Sequence, residues 1–138
     1  MIGGVLAIDH GTKRTGFAVA DALRITSSPL EVFHGPGDSD ELLDRIGELL
    51  DERDVKTFVL GLPYNMDGTE GPRAADVRAF GARLAQRFSS QTIEYIDERL
   101  STKEAEHLAR ERRREGLPDV GRDALAALVL LREWLGAN

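Results

Sequence analysis

The chain has 138 residues, 41% of them hydrophobic and 30% charged, with a formal net charge of −6 and no cysteine. That length builds one ordinary domain over residues 1–138, and the missing cysteines exclude disulfides, thiolate metal sites and a cysteine nucleophile. The start lacks a leader-like apolar core, and no apolar run approaches the roughly 20 residues of a membrane span, so a cytoplasmic protein is expected.

Charge is unevenly distributed. Residues 31–54 carry nine acids against two arginines, whereas residues 99–114 carry six cations against three acids. An acidic chain can therefore keep one face basic enough for a phosphate backbone.

In chain order, Leu6-Ala7-Ile8 and Phe17-Ala18-Val19-Ala20 flank a polar turn bearing Gly11, which predicts a hairpin whose buried first strand ends on Asp9. A carboxylate there is costly to desolvate unless turn amides or a cation meet it. Lys13 and Arg14 put two positive charges in the same turn, and His10 stands beside the acid with no second histidine near it in the pattern. Residues 29–33 alternate as a third strand, broken by His34-Gly35-Pro36-Gly37. Asp38 with Glu41 resembles a capping box, and Leu42, Leu43, Ile46, Leu49 and Leu50 then repeat at helical spacing. The continuous apolar run at 56–62 predicts a central strand parallel to the first.

A loop at 63–71 leads to Pro72, suited to the first turn of a helix that buries Val77, Phe80, Gly81, Leu84 and Phe88. Residues 92–96 read as a last strand, covered on both faces, running into Asp97-Glu98. Ser101 with Glu104 forms a second capping-box pattern for a helix to about Arg114. A final helix aligns Asp123, Ala126, Ala127, Leu130, Leu131 and Trp134 on one face. The order β-β-β-α-β-α-β-α-α specifies a mixed α/β protein, a five-stranded sheet with helices packed on it, and points to the RNase H-like fold.

In open sheets of this kind, ligands bind beyond the carboxyl ends of the parallel strands. Asp9 and the Asp97-Glu98 pair fall there, and Asp123 opens a helix whose small residues Ala126 and Ala127 would let it lie close to the sheet. Carboxylates gathered from distant segments repel and raise one another's pKa unless a cation neutralises them. Oxygen-only ligands with open positions suit Mg²⁺ or Mn²⁺. Each acid also has a structural reading: Asp123 as a first-turn acid, Glu98 as a partner of Arg99 or Arg122. Within Asp97-Glu98, the pattern alone does not choose.

Four segments resemble the YqgF/RuvX family of RuvC-like pre-16S rRNA nucleases: residues 8–16 (Ile8-Asp9-His10-Gly11-Thr12-Lys13-Arg14-Thr15-Gly16), residues 61–71 from Gly61-Leu62-Pro63 to Gly71, residues 97–102 (Asp97-Glu98-Arg99-Leu100-Ser101-Thr102) and residues 123–127. The resemblance implies Asp9, Glu98 and Asp123 as metal-binding catalytic acids. It also implies that Lys13, Arg14 and the loop bearing Asn65 and Thr69 border a nucleic-acid groove, with Arg99 helping to hold the strand. The expected activity is metal-dependent phosphodiester hydrolysis on structured RNA or branched DNA, by a monomer or homodimer. Processing of the 5′ end of pre-16S rRNA is the first reading. The rivals are a Holliday-junction resolvase and a catalytically silent ribosome-assembly module. Ala126, where RuvC resolvases carry a second acid one turn after the first, argues against full two-metal occupancy.

Overall fold

The computed structural model describes residues 3–98 and 101–137. The predicted hairpin is β1 (Gly4–Asp9) and β2 (Arg14–Ala20), with Val5 opposite Ala20 and Asp9 opposite Gly16. β3 (Ser27–His34) pairs antiparallel with β2 and runs longer at both ends than the sequence pattern suggested. Its Pro29 lies opposite Ala18, where the register slips. β3 is an outer strand, where a residue without an N–H is tolerated.

α1 (Asp40–Asp51) follows. Its cap is Ser39, whose Oγ accepts the Leu42 N–H at 3.3 Å, and not Asp38. The reason is local: Ser39 Oγ also donates to Pro36 O at 2.7 Å, so the Pro36 turn delivers the chain to the helix one residue later than the capping-box pattern implied.

β4 (Val55–Leu62) lies parallel to β1 on one side and to β5 (Thr92–Asp97) on the other, giving the sheet order β3-β2-β1-β4-β5. β5 was expected to be covered on both faces. Its faces are both partly covered, Ile93 and Tyr95 packing on the α1–α2 layer and Ile96 on the α4 layer, but as an edge strand it has no fully buried residue. The helices α2 (Pro72–Arg87), α3 (Ser101–Arg114) and α4 (Arg122–Ala137) complete the order, with Pro72 opening α2. Arg99, and the side chain of Ser101 with the cap expected of it, lie outside the described residues.

The alternation of each strand sends its side chains to two different layers. Leu6, Ile8, Phe17, Phe58, Leu60 and Leu62 pack against Leu42, Ile46 and Leu49 of α1 and Val77, Phe80 and Leu84 of α2. Val5, Ala7, Ala18 and Val59 pack against Ala127, Leu128, Leu131 and Trp134 of α4. Each fully buried large side chain contributes about 1.5–3 kcal/mol, so both layers are needed to hold the sheet. α3 reaches the core through α4, by Ala105 with Leu125 and Val129, and Ala126 packs in that contact instead of on the sheet as its spacing had suggested. Trp134 closes the far end of α4: its Nε1–H donates to Glu94 Oε1 at 3.1 Å, and the Arg24 guanidinium lies 5.0 Å from its ring centre. Among the described residues, no helix is long and apolar enough to cross a membrane.

Candidate active site

Parity places the acids. In β1, Val5 and Ala7 face α4, so Asp9, two residues on, leaves the strand on the same side. In β5, Glu94 meets Trp134 of α4 and Ile96 packs in the same layer, so Glu98 continues that face just beyond the strand. Within the pair Asp97-Glu98, between which the pattern alone does not choose, Glu98 is the residue that hydrogen-bonds Asp9.

Two glycines make the meeting possible. β4 separates β1 from β5, and its Gly61 lies on the α4 face. A Cβ on Gly61 would stand 2.6 Å from Leu130 Cδ1 and 2.9 Å from Glu98 Oε2, so the missing side chain is the space through which Glu98 reaches Asp9. Gly16, paired with Asp9 across the hairpin, does the same for α4. A Cβ there would lie 2.0 Å from Asp123 O and 2.7 Å from Ala124 N, so the first turn of α4 rests directly on the strand and sets Asp123 beside Asp9.

The electrostatics of this corner are unfavourable. Asp9 is pushed up to about 8, first by burial, then by the charge and hydrogen bond of Glu98 and the charge of Asp123. Burial also raises Glu98, against the opposing influence of its hydrogen bond to Asp9 and of Arg73. Burial and mutual proximity thus disfavour ionisation of both carboxyls together.

Asp123 is turned toward the β1–β2 turn, where Arg14 Nε donates to its Oδ2 at 3.0 Å. Among the described residues, no three acid or imidazole groups already stand as a compact metal-ligand cluster, because Asp123 faces Arg14 while Asp9 and Glu98 face each other. The donor set is nonetheless one of carboxylate oxygens alone, two of them half-buried and close enough to disfavour each other's charge. That combination fits a hard divalent cation and not zinc.

Arg73 was not foreseen. It sits in the first turn of α2, where Nη2 donates to His10 O at 2.8 Å and Nη1 to Asp76 at 3.0 Å, and its charge favours the ionised form of both Asp9 and Glu98. The available signal was a cation at the start of the helix that follows the central parallel strand, where an open sheet places its site. His10 itself belongs to the core: it stacks on Phe80 at 4.4 Å, its Nε2 donates to Gly37 O at 2.8 Å, and burial lowers its pKa.

Of the predicted nucleic-acid residues, Lys13 is exposed in the turn, and Arg14 adjoins the acids. Asn65 and Thr69 are spent largely on each other. Asn65 Nδ2 donates to Thr69 Oγ1 at 3.0 Å, Thr69 Oγ1 donates to Asp67 Oδ1 at 2.6 Å, and Asn65 N–H donates to Thr69 O at 2.7 Å. They shape the loop over the strand ends. Arg122 lies 3.7 Å from Glu106 and does not pair with Glu98.

A family model described as "RuvX: Holliday junction resolvase" matches residues 3–137. A relative from Ligilactobacillus salivarius is 38% identical, over 99% of this chain and 95% of its own length, and one from Streptococcus gordonii is 37% identical over 97% and 98%. Both are named as pre-16S rRNA nucleases. Among solved structures, the RuvC of T. thermophilus in complex with Holliday junction substrate superposes with a TM-score of 0.60 at 19% identity, covering 98% of this chain and 96% of that one. The likeness bears out the RNase H-like fold expected from the element order.

Proposed function

This chain belongs to the RuvX family, and from that premise we propose that it is a divalent-metal-dependent nuclease that trims the 5′ end of pre-16S rRNA, with Asp9, Glu98 and Asp123 as its catalytic acids. The observation that carries the reading is the convergence of two hydrogen-bonded, half-buried carboxyls from distant segments, Asp9 and Glu98, with Asp123 alongside. Nothing in folding rewards such a cluster, since like charges in a poorly solvated corner cost stability. Such clusters are characteristic of sites that bind a cation or move a proton.

Asp9, Glu98 and Asp123 would hold Mg²⁺ or Mn²⁺. Bound there, the ion supplies a more acidic water and neutralises charge developing on the phosphate. The chain's own residues do the rest. Asp9 and Glu98 would offer the cation their carboxylate oxygens, and the Arg73 charge favours the ionised form of both. Arg14, next to Asp123, and Lys13, exposed beside it, attract and orient the phosphodiester backbone. Arg73 holds the end of β1 through the His10 carbonyl, which keeps Asp9 aimed at the cluster.

The test is cleavage of a labelled pre-16S 5′ segment and of a four-way DNA junction in parallel, with Mg²⁺, Mn²⁺ or EDTA, comparing the wild-type chain with Asp9→Asn. Metal-dependent cutting of the RNA, lost in the variant, is the expected result. Preferential cutting of the junction would assign a resolvase instead. Binding without cutting under every metal would assign the silent assembly module.

A further inference from the structure

An open groove of about 760 Å³ begins at Asp123 and runs away from the acids between β3 and the connection that joins α3 to α4. Its lining is mixed in a particular way. Leu30, Val32 and Val120 give it an apolar floor, while Arg14, Arg122 and His34 stand around it. The acids that also border it are mostly engaged. Glu31 is held by both arms of Arg45, at 2.7 and 2.6 Å, and Asp119 Oδ1 accepts the Gly121 N–H at 2.9 Å.

The wall of the groove is shaped by backbone. Gly121 has φ +91°, and a Cβ on it would lie 2.8 Å from Val32 Cγ2, so the connection is laid against β3 in a conformation other residues rarely adopt. Arg112 Nη2 donates to Pro118 O at 3.1 Å and ties the same connection back to α3.

We propose that this groove seats the unpaired nucleotide next to the phosphate being cut, with its base on Val32 and Val120 and its phosphate between Arg14 and Arg122. The proposal rests on the nuclease reading above, and two observations favour this occupant. The first is continuity: Arg14 and Asp123 border both the acid cluster and the groove, so a strand whose phosphate lies at the acids enters the groove with its neighbouring nucleotide. The second is complementarity, because an apolar floor with cations around it matches a base and a phosphate together and neither alone. A base inside a duplex has both faces stacked and cannot lie on the floor. The groove therefore selects a single-stranded stretch, whether of RNA or of DNA.

The experiment measures binding in an Asp9→Asn background, which holds the strand without cutting it. Fluorescence anisotropy in Mg²⁺ is read with 12-nucleotide single-stranded RNA, single-stranded DNA and the corresponding duplexes. Val32→Glu and Arg122→Glu each weaken single-strand binding by about tenfold, equivalent to about 1.4 kcal/mol, whereas Lys56→Glu, the same charge change as Arg122→Glu but at the opposite end of the sheet, stays within about twofold. Arg122→Ala lowers the slope of log Kd against log salt by about 0.7, the share of one phosphate contact on a single strand. Arg122 is exposed, so its variants remain decisive should Val32→Glu fail to fold. The RNA and DNA arms show which backbone is preferred.

Unchanged single-strand affinity in both Glu variants overturns the groove, as does a duplex that binds more tightly than the single strands and loses the same factor. Cutting by the wild-type chain with Mn²⁺ is measured beside these. If cutting persists while the groove variants bind like their parent, only the groove falls. If no metal supports cutting, the nuclease reading falls first.

Discussion

Two groups of acids in this molecule show opposite electrostatics. On the α1–α2 face, Asp40 meets Arg83 at 2.8 Å, Asp44 meets Arg87 at 2.6 Å and Glu31 meets Arg45 at 2.6 Å, every carboxylate at least 30% exposed. At the carboxyl end of the strands, Asp9 and Glu98 meet each other instead of a cation, half-buried and raised in pKa. The exposed pairs contribute little, each about 0–1 kcal/mol, because water already solvates them well. The half-buried pair is destabilising until something neutralises it. Acid count alone points to residues 31–54, whereas convergence and burial point to Asp9, and the second criterion is the one with chemical meaning.

The largest expected effect comes from removing the half-buried charge. Asp9→Asn lowers metal-dependent cleavage at least about 10³-fold, corresponding to roughly 4 kcal/mol of transition-state stabilisation, while leaving the melting temperature of the EDTA-treated protein equal to or above wild type. A drop of both activity and melting temperature would make Asp9 a structural acid and erase the contrast with the α1–α2 face.

The next effect is in pH. Asp9 titrates near 4 when unfolded and at about 8 when folded. Below pH 4 both states hold the proton and the site costs nothing. As pH rises from 4 to 8 the unfolded chain releases it while the folded chain retains it, so stability falls, and above 8 the loss is complete. Thermal melts in EDTA should therefore show a decline across this window, on the order of a few kcal/mol at most, that is absent in Asp9→Asn and reduced by Mg²⁺. A flat profile identical in the variant would show that Asp9 and Glu98 are solvated like the outer acids.

The glycines give a third contrast. In Gly16→Ala the new methyl meets the α4 backbone, which cannot yield cheaply, so about 1–3 kcal/mol of stability is lost in chemical denaturation together with activity. In Gly61→Ala the nearest atoms are side-chain ends, Leu130 Cδ1 and Glu98 Oε2. Activity should fall with a smaller stability loss, because the carboxyl is displaced while the fold stands. Smallest of all, Asp44→Asn shifts stability by no more than about 1 kcal/mol and leaves cleavage unchanged.

The elements were legible in the sequence because local signals agreed: the continuous apolar run of β1, the helical spacing of α1 and Pro72 at the start of α2 all point one way. So was the meeting of three segments at the strand ends. What the sequence left open required register across strands. Choosing Glu98 over Asp97 depends on β5 sharing its face with Glu94 and Trp134, and on Gly61 being the empty place in the intervening strand. Gly16 reads as an ordinary hairpin glycine until α4 is known to lie on it. Arg73 reads as a surface cation until the His10 carbonyl, 63 positions away, is found at its tip. Asn65 and Thr69 were located in the correct loop, but their hydrogen bonds to each other are invisible without the turn they form.

Trp134 is the chain's single tryptophan, and it sits at the end of α4 opposite Asp123. The molecule thus carries a built-in optical probe of one helix. Indole emission from the apolar layer, quenched or shifted only when α4 lifts from the sheet, separates two kinds of inactive variant by a single cuvette measurement. A variant that loses activity with the native spectrum has lost chemistry, and one that loses it with a red-shifted spectrum has lost the platform beneath Asp123.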